Sequence, residues 1–221
     1  MFKDRKEAGR LLARELVEYR GKDAIVYALP RGGVVLGFEI ARALSIPLDL
    51  IIARKIGHPN NPEYAVCAVT EEGEPFCNEM EKTTLDPSWL EKEIEKEREE
   101  ARRRREKYLK GGVRRSAKNK IAIVVDDGVA TGLTLRAALH AVRQEGPKGL
   151  LVAVPVAPHE LIDILQTLAD KVVVLKDEQE YLGAVGAYYK SFPQVSDEEV
   201  IKLLKKASSK IFRILHYPIL R

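Results

Sequence analysis

The run Ile121–Val125, followed at once by Asp126 and Asp127, constrains this chain more than any other stretch. Five small or β-branched apolar residues in succession make a short strand buried on both faces, the pattern of a parallel sheet covered by helices. Two carboxylates cannot enter such a core. They must project beyond the strand's carboxyl end, into the crevice where open α/β sheets hold ligands. A loop over Gly128–Leu133 then delivers Ala130, Thr131, Gly132, Leu133 and Thr134 onto the start of a helix near Thr134. Free N–H groups and the positive end of the macrodipole suit a phosphate there, and the two threonines add hydroxyl donors. Acids beside an anion-accepting turn fit a sugar phosphate. The plainer alternative, one aspartate acting as a helix N-cap, explains one acid and none of the Thr-Gly-x-Thr pattern.

The segment DDGVATGLT, residues 126–134, resembles the phosphoribosyl-pyrophosphate (PRPP) motif of type I phosphoribosyltransferases. The resemblance implies that Asp126 and Asp127 hold the ribose hydroxyls while Gly128 and Ala130–Thr134 wrap the 5′-phosphate. A second turn, Pro30-Arg31-Gly32-Gly33, lies between an expected strand Ala24–Leu29 and a helix Val34–Leu44. Its glycines let backbone approach an anion closely, and Arg31 brings a fixed charge with paired donors. It is similar to the family's pyrophosphate loop, which implies a cis peptide between Pro30 and Arg31. By the same resemblance, Arg54 and Lys55, after an expected strand Leu48–Ala53, meet the pyrophosphate, and Lys55 joins Asp126 and Asp127 as a catalytic residue. Mg²⁺ is implied as cofactor, carried mainly by the substrate with Asp126 and Asp127 nearby. The implied partners are PRPP and a nitrogenous base. Ala130 stands where the hypoxanthine-guanine branch has a third acid, and Leu133 where glycine is more usual. The adenine branch is nearer at Ala130, and a purine-type acceptor is slightly favoured.

Composition narrows the alternatives. Thirty-seven basic against 33 acidic residues give a net charge of only +4, so nothing pulls the whole chain toward nucleic acid. Charged residues reach 32%, with two Met and two Cys, a usage common in heat-adapted proteins. No apolar run approaches a membrane span, and Met1–Asp4 is too charged for a signal peptide. A cytoplasmic, reduced setting is expected, with Cys67 and Cys77 as small core side chains on opposite arms of a hairpin. There is no internal repeat and no Gly-x-x-x-x-Gly-Lys phosphate loop.

The rest of the chain follows the same alternation. Residues 4–20 read as an amphipathic helix, and residues 54–63, rich in Pro, Gly and Asn, as an irregular mobile loop. His58 in that loop is read as solvent-exposed rather than catalytic. A hairpin is expected over 64–70 and 75–79, and a long helix from Pro87 to Leu109, with Glu99–Arg103 and Glu100–Arg104 at pairing distance. Arg102–Arg105 within it reads as a solvated face. The alternative, a nucleic-acid patch, would make the chain a PRPP-sensing regulator without turnover, and hydrolysis of PRPP is a third reading. A strand Gly149–Val154, a loop Pro155–Pro158, a helix Leu161–Ala169 and a strand Val172–Leu175 complete the core. Tyr181–Phe192 has the aromatic texture of the family's base-binding hood. Ser196 opens a capping box, and the apolar tail 211–220 suits an extra strand or a subunit contact in a homo-oligomer. The expected architecture is one α/β domain over 1–221. It has a doubly wound, mainly parallel sheet of about five strands, a hairpin and long-helix insertion at 64–110, and a hood and tail at 176–221.

Overall fold

Burial on both faces, expected from Ile121–Val125, holds for four strands of the central sheet, while in the edge strand at 171–178 only Val173 is buried among the described side chains. The computed structural model describes residues 1–112, 114–179 and 181–209, and the apolar tail lies outside them. In chain order the elements are α1 (Arg5–Glu15), β1 (Ala24–Ala28), α2 (Gly32–Leu44), β2 (Leu48–Leu50), β3 (Arg54–His58), β4 (Asn61–Val69), β5 (Phe76–Cys77) and α3 (Glu79–Lys82). Then follow α4 (Pro87–Leu109), β6 (Ile121–Val125), α5 (Leu133–Gln144), β7 (Gly149–Pro158), α6 (His159–Leu168), β8 (Lys171–Glu178) and α7 (Asp197–Ser208).

Five strands pair in parallel in the order β2-β1-β6-β7-β8. Strand side chains alternate between two cores. Val26, Ile123, Val125 and Leu151 face α1, α2 and α7, packing with Leu12, Ile40 and Val200. Ile25, Tyr27, Val124 and Val152 face α5 and α6, packing with Leu135, Leu139 and Leu165. Such a two-sided core is what forces continuous apolar strands. The strand order reverses at β1: β2 lies on one side and β6 on the other. The carboxyl ends of β1 and β6 therefore flank the switch point, where this sheet class holds ligands.

Three expectations change. Residues 54–63 are not irregular. They form most of a hairpin, with Arg54 opposite Val69, Lys55 opposite Ala68 and Ile56 opposite Cys67. The turn-forming residues gather at its tip and at the register shifts beside Gly57, while buried Ile56 and the Val66–Val69 run secure the inner ladder. Cys67 and Cys77 are not free core thiols. They are directly opposed in the β4–β5 pair, with Cα atoms 4.0 Å apart, and form a disulfide. Finally, Pro155–Pro158 continues β7, with Val156 to Pro158 pairing with Lys176 to Glu178 of β8. Strand β6 ends at Val125 opposite Ala153, so this part of β7 has a strand on one side only, where proline's missing N–H is tolerated.

Helix α4 docks at both ends, as its sparse apolar residues imply. Trp89, Leu90 and Ile94 pack on the small β3-β4-β5 sheet, and Ala101 and Tyr108 on the main core. The Asp86 side chain caps its start by accepting from the Trp89 N–H at 2.7 Å. Glu100 pairs with Arg104 as the spacing predicts, but Arg103 turns to Glu100 as well rather than to Glu99. Ser196 caps α7 by accepting from the Glu199 N–H. No helix among the described residues is long and apolar enough to cross a membrane.

Candidate active site

Strands β1 and β6 end side by side, and their loops meet over the crevice. The Leu29 N–H donates to the Val125 carbonyl at 2.9 Å. Immediately beyond, the Pro30–Arg31 peptide is cis, as the resemblance implied. Gly32 and Gly33 press against the acid pair: a Cβ on Gly32 would fall 1.8 Å from Asp127 Oδ2, and one on Gly33 2.8 Å from the Val125 oxygen. No side chain fits at either position, so the contact explains the glycine pair.

The acids differ in surroundings. The Asp126 carboxylate accepts the Asp127 N–H at 2.8 Å. Burial, and then the charge of Asp127, pushes its carboxyl well above the ordinary range. Asp127 is held from several sides. Arg5 Nε donates to its Oδ2 at 2.7 Å, and the Tyr189 hydroxyl donates to its carbonyl at 2.6 Å. Arg5 is itself fixed, with its guanidinium 3.6 Å from the centroid of the Phe192 ring and Nη1 donating to the Pro193 carbonyl at 2.7 Å. The expected hood thus contributes Tyr189 and Phe192 to the acid pair, while Tyr181 stacks on Tyr188 at 5.5 Å.

The loop after the acids runs along β7, where the Val129 N–H donates to the Val156 carbonyl at 3.0 Å. Ala130 and Thr131 are exposed and Thr134 half-buried. Gly132 takes the left-handed conformation, φ 73°, at the N-cap of α5, and no side chain caps that helix. Its first N–H groups are left for an anion. Leu133 packs with Ala68 and Ala137 against the small sheet, which accounts for a bulky residue where glycine is more usual.

Asp126, Asp127, Arg31–Gly33 and the 128–134 turn are therefore gathered at one switch point. Arg54 and Lys55 lie instead on β3 of the small sheet. Arg54 is ion-paired to Glu97 of α4 at 2.7 Å, and Lys55 is exposed. His58 Nδ1 accepts the Asn60 N–H within the hairpin turn, a local structural role. Arg5 was not singled out in the sequence; nothing local separates it from its cationic neighbours on α1. Among the described residues no group of three or more His, Cys, Asp or Glu could hold a metal ion. Two hard carboxylate oxygens suit a Mg²⁺ that keeps most of its ligands from substrate phosphates and water.

Fold and site together define a doubly wound α/β protein with an acid pair, a glycine turn and an uncapped helix start in one crevice. The sequence over residues 3–190 matches the family described as phosphoribosyl transferase domain, and the chain belongs to that family. It is 39% identical over 209 residues to a Mycobacterium tuberculosis H37Rv protein named "Putative phosphoribosyl transferase Rv0571c", covering 94% of this chain and 47% of that protein. The chain thus spans about half the length of the curated relatives it matches. The crystal structure of TT1426 from Thermus thermophilus superposes with a TM-score of 0.82 at 42% identity, covering 95% of this chain and 100% of that one.

Proposed function

We propose that the protein transfers the phosphoribosyl group of PRPP to a nitrogenous base, purine-type in preference, and releases pyrophosphate. The observation that carries this reading is the seating of Gly32 against Asp127 beside the uncapped start of α5. It supports taking the acid pair as the sugar-binding element and the two neighbouring turns as the receivers of the phosphates at either end of PRPP.

In this reading the base nitrogen attacks C1′ as the bond from C1′ to the pyrophosphate oxygen breaks, through an oxocarbenium-like state. Asp126 and Asp127 hold the ribose 2′- and 3′-hydroxyls and face the developing positive charge. The N–H groups of Thr131–Thr134 and the threonine hydroxyls fix the 5′-phosphate. Arg31 and the backbone of Gly32 and Gly33 receive the pyrophosphate, and Lys55 supplies a second cation to it. Arg54 joins only by exchanging Glu97 for phosphate. Asp126 and Asp127 would hold Mg²⁺ together with the substrate, and the ion would supply charge neutralisation for the departing pyrophosphate. Catalysis of this kind rests on positioning and charge stabilisation.

Calorimetric titration with PRPP and Mg²⁺ tests the site. Binding is expected in the wild type and should weaken at least about tenfold in Asp127→Asn, a hydroxyl-to-carboxylate contact being charge-assisted. Unchanged affinity in a folded variant contradicts the assignment of the acids.

A further inference from the structure

The proposed reaction leaves a concentration of charge on α4 unused. The arginine run there splits by direction. Arg102 and Arg105 serve the fold: Arg102 Nε donates to the Glu71 carbonyl, and Arg105 reaches Asp49 at 2.8 Å and the Leu50 carbonyl at 2.8 Å. Arg103, Arg104 and Lys107 turn the other way. With Pro30, Arg31, Tyr108 and Asp197 they line a cleft of about 380 Å³.

The charges in this cleft do not balance. Glu100 serves both Arg103, at 2.7 Å, and Arg104, at 2.9 Å. Asp197 serves Lys107 at 2.5 Å and the Tyr108 hydroxyl at 2.7 Å, while Arg31 stands 3.8 Å from it, beyond hydrogen-bond distance. Four cations meet two carboxylates at ion-pair distance, with Glu198 acting on Lys107 from further off, so a net positive charge remains. The cationic side chains are 37% to 67% exposed, so their remaining donors are open to a ligand. Three of them stand within five residues of one helix and the fourth on the turn that meets Asp127, so an extended anion would find several donors along one line.

We propose that this cleft is a second phosphate-chain site, contiguous with the Arg31 turn, that binds a linear chain of phosphates such as tripolyphosphate or the tail of a nucleoside triphosphate. Guanidinium pairs and an ammonium match successive phosphate groups. A single carboxylate or sulfate would use only part of the row. Because Arg31 belongs to both sites, an occupied cleft competes with PRPP. That regulatory consequence rests on the PRPP reading; the binding itself does not.

The test is calorimetric titration of the full chain with inorganic tripolyphosphate, ATP and a single-stranded RNA oligomer, each with and without PRPP and Mg²⁺. Tripolyphosphate should bind the wild type and bind the triple variant Arg103→Gln, Arg104→Gln, Lys107→Gln at least about tenfold more weakly, with PRPP affinity changed by less than about threefold. Asp197→Asn, which releases Lys107 and Arg31, should tighten tripolyphosphate binding by about threefold or more, giving a readout that does not depend on loss. ATP binding tighter than tripolyphosphate assigns the cleft to a nucleotide, and equal binding to the phosphate chain alone. Tripolyphosphate binding that is lost in the triple variant of a protein that ignores PRPP would support the cleft and remove the reading of the main site. Equal tripolyphosphate affinity in wild type and triple variant overturns the proposal. So does loss of PRPP and tripolyphosphate together, which would make the row part of the PRPP site. RNA bound more tightly than tripolyphosphate, and lost in the triple variant, would make the row a nucleic-acid surface instead.

Discussion

Arg5 Nε lies 2.7 Å from Asp127 Oδ2, joining the first turn of α1 to the acid pair across 122 residues of sequence. The two side chains are only 10% and 17% exposed, so the pair is screened little by solvent. Stacking on Phe192 and the bond to Pro193 leave the guanidinium one orientation. Arg5 is thus a positioning residue for Asp127.

Replacing Arg5 by alanine should cost about 2–3 kcal/mol of stability, because Asp127 loses its counter-charge in a partly buried site. Arg5→Lys should recover only part of this, since one ammonium cannot reach Asp127 and the Pro193 carbonyl in the same geometry. Urea unfolding of the three proteins measures it. Equal stability of wild type and Arg5→Ala would show the pair to be incidental.

Asp126 predicts a pH dependence. Its carboxyl binds a proton more tightly in the folded chain than in the unfolded one, because burial and Asp127 oppose its ionisation. Folding stability from this group is greatest below the unfolded value of about 3.9 and is lost as pH rises through the higher folded value. Asp126→Asn removes the dependence while keeping an acceptor for the Asp127 N–H. The variant should therefore gain on the wild type steadily as pH rises above about 4. Melting temperatures compared across pH test this; a constant difference at every pH would place the proton elsewhere.

Gly32→Ala tests how closely the two loops meet. A Cβ there would lie 1.8 Å from Asp127 Oδ2, so either the turn or the carboxylate must move. Stability should fall by about 1–3 kcal/mol, as for other overpacked sites, and PRPP affinity should fall with it. A variant that folds and binds as the wild type does would separate the glycine turn from the acid pair.

The Cys67–Cys77 bond closes a sequence separation of 10 residues. Chain-entropy reasoning gives about 2–3 kcal/mol of stabilisation for a loop of that size, confined here to the small sheet. Intact-mass measurement should show the non-reduced chain lighter than the reduced one by two hydrogens. Hydrogen exchange of Val66–Val69 should speed up on reduction while that of β6 does not. Free thiols in the native protein would refute the pairing.

The central sheet was legible because its strands are apolar and continuous in sequence, four of the five being buried on both faces. The acid pair and both turns were legible because their residue types have no use inside a core. What stayed hidden depended on tertiary neighbours. Proline and asparagine at the tip of the 54–63 hairpin masked a ladder secured by Ile56, whose partner Cys67 lies eleven residues on. The extension of β7 through Pro155–Pro158 is possible only because β6 stops at Val125. The spacing placed the two cysteines on opposite arms but not in register, and register made the bond. Arg5 reaches its partner through the packing of α1 on α2 and the hood, which no local pattern records.

The most direct test of the central claim is turnover. The protein is incubated with PRPP, Mg²⁺ and each of a panel of nucleobases, and pyrophosphate release is followed. The expected result is release that depends on an added purine-type base. It should fall by about a hundredfold or more in Asp126→Asn and Asp127→Asn, in line with the loss of groups that act on transition-state charge. Release at the same rate without any base would make water the acceptor. PRPP that neither binds nor reacts with any base would contradict the account.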